Sequence, residues 1–141
     1  MHIQVFQYDI RKAEQGAILI GFAAEMTAER RALMHQTWEG DIAPPPTMVK
    51  DIAEANPDDP EKQVDATMRM IAERVFYLLN RDDRPTAKTS YSMSIGDVVL
   101  ITNPDGTMRA YMTEEIGFSP VAVELFTEPS KGAAHAQEAD S

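Results

Sequence analysis

The chain has no cysteine among its 141 residues. That excludes disulfide staples, thiolate catalysis and cysteine-based zinc or iron–sulfur centres, and it suits a reducing compartment. Basic residues are in deficit: 13 Lys and Arg stand against 23 Asp and Glu, a formal net charge of −10. Phosphate backbones and anionic lipid surfaces are normally bound through cations that displace counterions, so this balance opposes both. An acidic surface can serve solubility or imitate the charge of nucleic acid, and the spread of the acids along the chain favours solubility. Long apolar runs are missing as well. The longest, Ala17–Ala24, is interrupted by Gly21 and falls far short of the roughly 20 residues that span a bilayer. The opening MHIQVFQYDI has neither the basic flank nor the apolar stretch of a secretory signal. The expectation is a cytoplasmic protein without a membrane partner.

Nucleotide- and metal-binding signatures are also lacking. There is no Walker loop and no Gly-x-Gly-x-x-Gly, so nucleotide binding has no support. His2, His35 and His135 lie far apart, whereas histidine metal sites use pairs at short spacing. Asp58, Asp59 and Glu61 lack the alternating acidic loop that surrounds calcium. Asp82 and Asp83 lie between Arg81 and Arg84 and read as an ion-pair network. No catalytic set, metal or cofactor is expected.

What is present is enough for one folded domain. The 43% hydrophobic content supports a single α+β domain over residues 1–127, and the small, polar, Ala-rich residues 128–141 read as a disordered tail. Ile3–Tyr8 is β-branched and aromatic with Ile3, Val5 and Gln7 on one side, the pattern of a strand. Ala17–Ala23 fits either a buried strand or the opening of a helix. Thr27 can cap a helix running to Trp38, with Gly40 as its stop. Pro44–Pro46 reads as a rigid polyproline connector, and Thr47–Ala55 as a short helix. Asp58 or Asp59 can cap the next helix, with Pro60 at its first position. Over Glu61–Asn80, Val64, Met68, Ile71, Val75, Leu78 and Leu79 recur at spacings of three and four, forming a stripe that packs on a sheet. Asp97–Thr102 is apolar on both faces and predicts a central strand. Asn103–Gly106 predicts a hairpin turn into Met108–Thr113, and Val121–Phe126 a further strand. The sum is a small, mostly antiparallel sheet of three to five strands with two or three helices packed on one face.

One stretch carries more than architecture. Val75, Phe76 and Asn80 lead to Arg84-Pro85. Ser92-Met93-Ser94-Ile95-Gly96-Asp97-Val98-Val99, Ala110-Tyr111 and Gly117-Phe118 then follow in order. Residues 72–121 in this arrangement resemble the YodL-like domain, a family whose biochemical role is not established. Glu114-Glu115-Ile116 stand where that family carries an Asp-Ser-type pair. The resemblance covers about a third of the chain and implies a setting on phages, plasmids or conjugative elements.

The candidate interaction residues are Arg84, Ser92, Ser94, Asp97, Arg109, Tyr111 and Phe118. Ser92, Ser94 and Asp97 could form a small polar site or tie down the turn around Gly96. A serine nucleophile needs a base, and the sequence places no histidine beside Ser94. The expected function is a non-enzymatic protein-interaction module of a mobile element, with a host or element-encoded protein as its partner and inhibition of a host defence system as a candidate role. The alternative is a nucleic-acid-binding accessory protein. Its basic and aromatic face would surround Arg84 and Arg109 and draw on Arg81, Lys88, Lys131, Tyr91 and Tyr111.

Overall fold

The computed structural model describes residues 1–8, 26–81, 83, 93 and 95–127. Five strands form one antiparallel sheet: β1 (His2–Tyr8), β2 (Met34–Asp41), β3 (Val98–Thr102), β4 (Met108–Thr113) and β5 (Phe118–Val121). Their spatial order is β2-β1-β3-β4-β5. Four helices occur among the described residues: α1 (Ala28–Arg31), α2 (Pro46–Ala55), α3 (Pro60–Leu78) and α4 (Glu124–Thr127).

Helix α3 organises the molecule. The Asp59 carboxylate accepts the Lys62 amide at 3.1 Å, Pro60 opens the helix, and Glu61 sits in the first turn where it complements the dipole. Met68, Ile71, Ala72 and Val75 are fully buried against Ile3, Val5, Val99, Ile101 and Tyr111. The opposite sheet face presents Phe6, Tyr8, Val98, Leu100, Ala110 and Met112, which pack with Met34 and Phe126. Central strand β3 is therefore covered on both sides, which is why it reads as an unbroken apolar run. Helix α2 follows Pro45, whose φ of −59° and ψ of 131° match polyproline geometry, and lies along α3.

The hairpin between β3 and β4 closes with Asn103 N to Thr107 O at 2.8 Å and Gly106 N to Asn103 O at 2.9 Å. Gly106 there has φ of 92°. A second turn brings the Glu114 amide to the Gly117 carbonyl at 3.0 Å. Its return strand β5 carries Pro120 on the sheet edge, where a missing amide hydrogen is tolerated.

Two sequence expectations are corrected. Thr27 caps a helix, accepting the Arg30 amide at 3.1 Å, but α1 ends after one turn and Met34–Asp41 is a strand on the free edge of β1. Its pairing shifts register between Val5, opposite Trp38, and Phe6, opposite Gln36, so Thr37 is an extra residue in the strand. Gly40 is no helix stop: a β-carbon on it would lie 2.7 Å from the Trp38 ring, so the indole needs a glycine beneath it. The expected strand Val121–Phe126 is displaced. Strand β5 ends at Val121, and Glu124–Thr127 turns as helix α4 to seat Phe126 against Phe6, with ring centroids 5.1 Å apart.

Candidate functional site

Three of the sequence-derived candidates, Arg109, Tyr111 and Phe118, lie against α3. Arg109 and Tyr111 are alternate residues of β4 and so face the same side. The Tyr111 ring is fully buried, and its hydroxyl donates to Asp65 Oδ1 at 2.8 Å. Asp65 Oδ2 accepts Arg69 Nε at 2.8 Å. Arg69 Nη1 reaches on to the Phe118 carbonyl at 2.6 Å, and its guanidinium lies 5.3 Å from the Tyr111 ring centre. Arg109 pairs with Glu61 and approaches Asp65 at 3.9 Å. The Phe118 ring meets Phe76 edge-on at 6.3 Å. Together these contacts clamp β4 and β5 to α3.

The electrostatics fit a clamp. Partial burial pushes the Asp65 carboxyl up. The hydrogen bonds from Tyr111 and Arg69, with the charges of Arg69 and Arg109, outweigh that and hold it below the usual range. Burial, then the hydrogen bond to Asp65 and its negative charge, push the Tyr111 phenol well above its ordinary value, so it stays a neutral donor. Tyr111 is thus corrected from a surface stacking residue to a core residue. Arg109 and Arg81 do not share a face either. Arg109 pairs with Glu61 at the start of α3, whereas Arg81 follows the end of that helix and is bound by Asp83 at 2.7 and 2.9 Å. A 19-residue helix separates its ends by roughly 28 Å.

Asp97 is fully buried at the start of β3. Its Oδ2 accepts Gln7 Nε2 at 3.1 Å, and its carbonyl accepts the Thr113 amide at 2.8 Å. The neighbouring Gly96 amide bonds the Thr113 carbonyl at 2.8 Å. Nearby, buried Arg30 donates through Nε to the Tyr8 hydroxyl at 3.1 Å. Asp97 therefore anchors the end of the sheet. Arg84, Ser92 and Ser94, with Lys88, Tyr91 and Lys131 of the basic set, lie outside the described residues, as do Ala17–Ala23 and the tail 128–141. Sequence reading passed over Gln7 and Arg30 as functional candidates. Gln7 had one signal, since it continues the inward set of Ile3 and Val5.

The sequence also missed an open groove of about 560 Å³ between α2 and α3. Met48 from α2 and Met70, Phe76 and Leu78 from α3 give it apolar walls. Tyr77, 75% exposed, stands at its lip beside Arg74 and Arg81. Met70, Arg74 and Tyr77 share one helical face, but the tertiary partner Met48 is invisible in the helix alone. Among the described residues no group of three histidine or acidic side chains could hold a metal, and no helix is long and apolar enough to cross a membrane.

Comparison with protein-family models, with curated proteins and with solved structures finds no match.

Proposed function

We propose that this protein is a non-enzymatic interaction module of a mobile genetic element that docks a host or element-encoded protein, with inhibition of a host defence system as a candidate role. The groove between α2 and α3 carries the reading: its walls are apolar, it opens to solvent, and a large aromatic side chain stands exposed at its lip. Exposed aromatic and Met side chains around a concavity are typical anchors of protein recognition. Asp65 and Tyr111, whose acidities are shifted in opposite directions, support the non-enzymatic half, because they hydrogen-bond each other. The motif resemblance supplies the mobile-element setting.

Affinity capture from host lysate with the tagged full chain tests this, run with and without nuclease and in parallel with Tyr77→Ala. A stoichiometric protein that survives nuclease and is lost with Tyr77→Ala is expected. Capture unaffected by Tyr77→Ala would refute the groove as the docking surface. The second reading, nucleic-acid binding, draws on the same exposed Tyr77 between Arg74 and Arg81. It predicts proteins lost on nuclease treatment and binding that weakens steeply with salt.

A further inference from the structure

We infer that the α2–α3 groove receives a segment of a partner protein bearing bulky apolar side chains flanked by carboxylates. This rests on the interaction-module reading and specifies its ligand. The groove's volume of about 560 Å³ falls within the range of roughly 300–1,000 Å³ occupied by concave binding sites. It is open to solvent rather than enclosed, which suits a laid-in chain segment better than an enclosed small molecule. Met48 and Met70 give it unbranched, adaptable walls that can reshape around an apolar anchor.

Charge decides the rest. Arg74 makes no ion pair with any described residue, and its guanidinium reaches only the Met48 sulfur, at 3.8 Å. A thioether is a weak acceptor that leaves the positive charge uncompensated. The positions one turn away on its own helix are Met70, Ile71, Tyr77 and Leu78, so no carboxylate is available at helical spacing. Three other arginines near α3 are paired: Arg69 with Asp65, Arg109 with Glu61, and Arg81 with Asp83. Glu73 also lines the groove, but Arg74 is the cation there without a carboxylate partner. An unpaired guanidinium beside an apolar trough is locally complementary to an acidic, apolar segment.

A random peptide library displayed on phage, panned against the full chain and in parallel against Tyr77→Ala and Arg74→Glu, tests the inference. Circular dichroism first checks that both variants keep the helical content of the parent. The expected enrichment is for bulky apolar residues spaced three or four apart with adjacent Asp or Glu. Selected peptides should lose about tenfold in affinity to Arg74→Glu, and versions with Lys in place of the acids should regain it. Enrichment blind to charge, or peptides held equally by Tyr77→Ala, would overturn the proposal. So would a labelled single-stranded oligonucleotide that binds through Tyr77, or Tyr77-dependent dimerisation in sedimentation. Charge-blind selection alongside Tyr77-dependent capture of a lysate protein would sink the acidic segment and leave the interaction module standing.

Discussion

Removing the Tyr111 hydroxyl isolates one of the bonds that join β4 to α3. Tyr111→Phe keeps the buried ring and deletes only the donor to Asp65 Oδ1 at 2.8 Å. Hydrogen bonds to charged groups contribute about 1.5–3 kcal/mol. Here Asp65 is 34% exposed and keeps Arg69 on its other oxygen at 2.8 Å, so water can replace part of the loss. The expected cost is at the lower end, about 1–1.5 kcal/mol. Asp65→Ala should cost more, about 2–3 kcal/mol, because it leaves the buried phenol without its acceptor and frees Arg69. In the double variant the phenol is already gone, so the two effects should fall short of additivity by about 1 kcal/mol. Urea unfolding of the parent, the two single variants and the double measures this, provided the dependence on denaturant is unchanged. Additivity within about 0.3 kcal/mol would refute the bond as a stabilising contact. The pH dependence supplies an independent check. Asp65 has a folded pKa depressed below its ordinary value. Its contribution is therefore present above the unfolded pKa, near about 4, and is lost as pH falls through the folded value. The coupling should vanish in acid.

Two further perturbations follow from local geometry. Gly96 has φ of 94°, and a β-carbon there would lie 3.2 Å from the Tyr8 ring, whereas Gly106 at φ of 92° has nothing within 4 Å; Gly96→Ala should therefore cost about 1–3 kcal/mol and exceed Gly106→Ala in thermal unfolding. His2 contacts Glu39 at 2.6 Å and Asp41 at 3.3 Å, and these hydrogen bonds raise its pKa. Its contribution to stability is complete below the unfolded value near about 6.5 and is lost as pH rises through the folded one. An NMR titration of His2 should place it above the unfolded value, and Glu39→Gln should bring it down.

The parts legible in the sequence are those where local and tertiary forces agree. Helix α3 carries its own cap at Asp59, its own proline start and a stripe that matches the sheet face, so periodicity alone locates it. Strand β3 is buried on both sides, and its turn residues Asn103–Gly106 specify the hairpin without outside help. Strand β2 is different. Its residues Met34–Asp41 sit on a sheet edge and are mostly partly or fully exposed, so no strict alternation marks them, and Thr27 supplies a true helix signal just upstream. The free hydrogen-bonding edge of β1 decides the outcome, and that edge is distant in sequence, as the pairings of His2 with Asp41 and of Tyr8 with Met34 show. The clamp was half visible for the same reason. Arg109, Tyr111 and Phe118 stood out as residue types, but their partners Asp65 and Arg69 are ordinary helix residues until α3 is laid across β4.

The same division bears on what the motif in residues 72–121 can encode. Val75, Val98, Val99, Tyr111 and Asp97 have no exposed surface, and Ala110 has almost none. A pattern built from such residues constrains packing: it fixes how α3 lies on β3 and β4 and where the sheet ends. These buried positions leave open which chemistry the surface presents, whereas Asn80, Ile95 and Gly117 of the same motif are exposed. Arg74 and Tyr77 lie inside the same stretch but point into the groove rather than the core, and Met48 comes from α2, outside the stretch altogether. A protein carrying the same buried pattern could thus hold this fold while replacing these three groove residues. On the docking reading proposed above, specificity would follow Met48, Arg74 and Tyr77, while the buried positions of the motif set the frame, and Phe76 belongs to both.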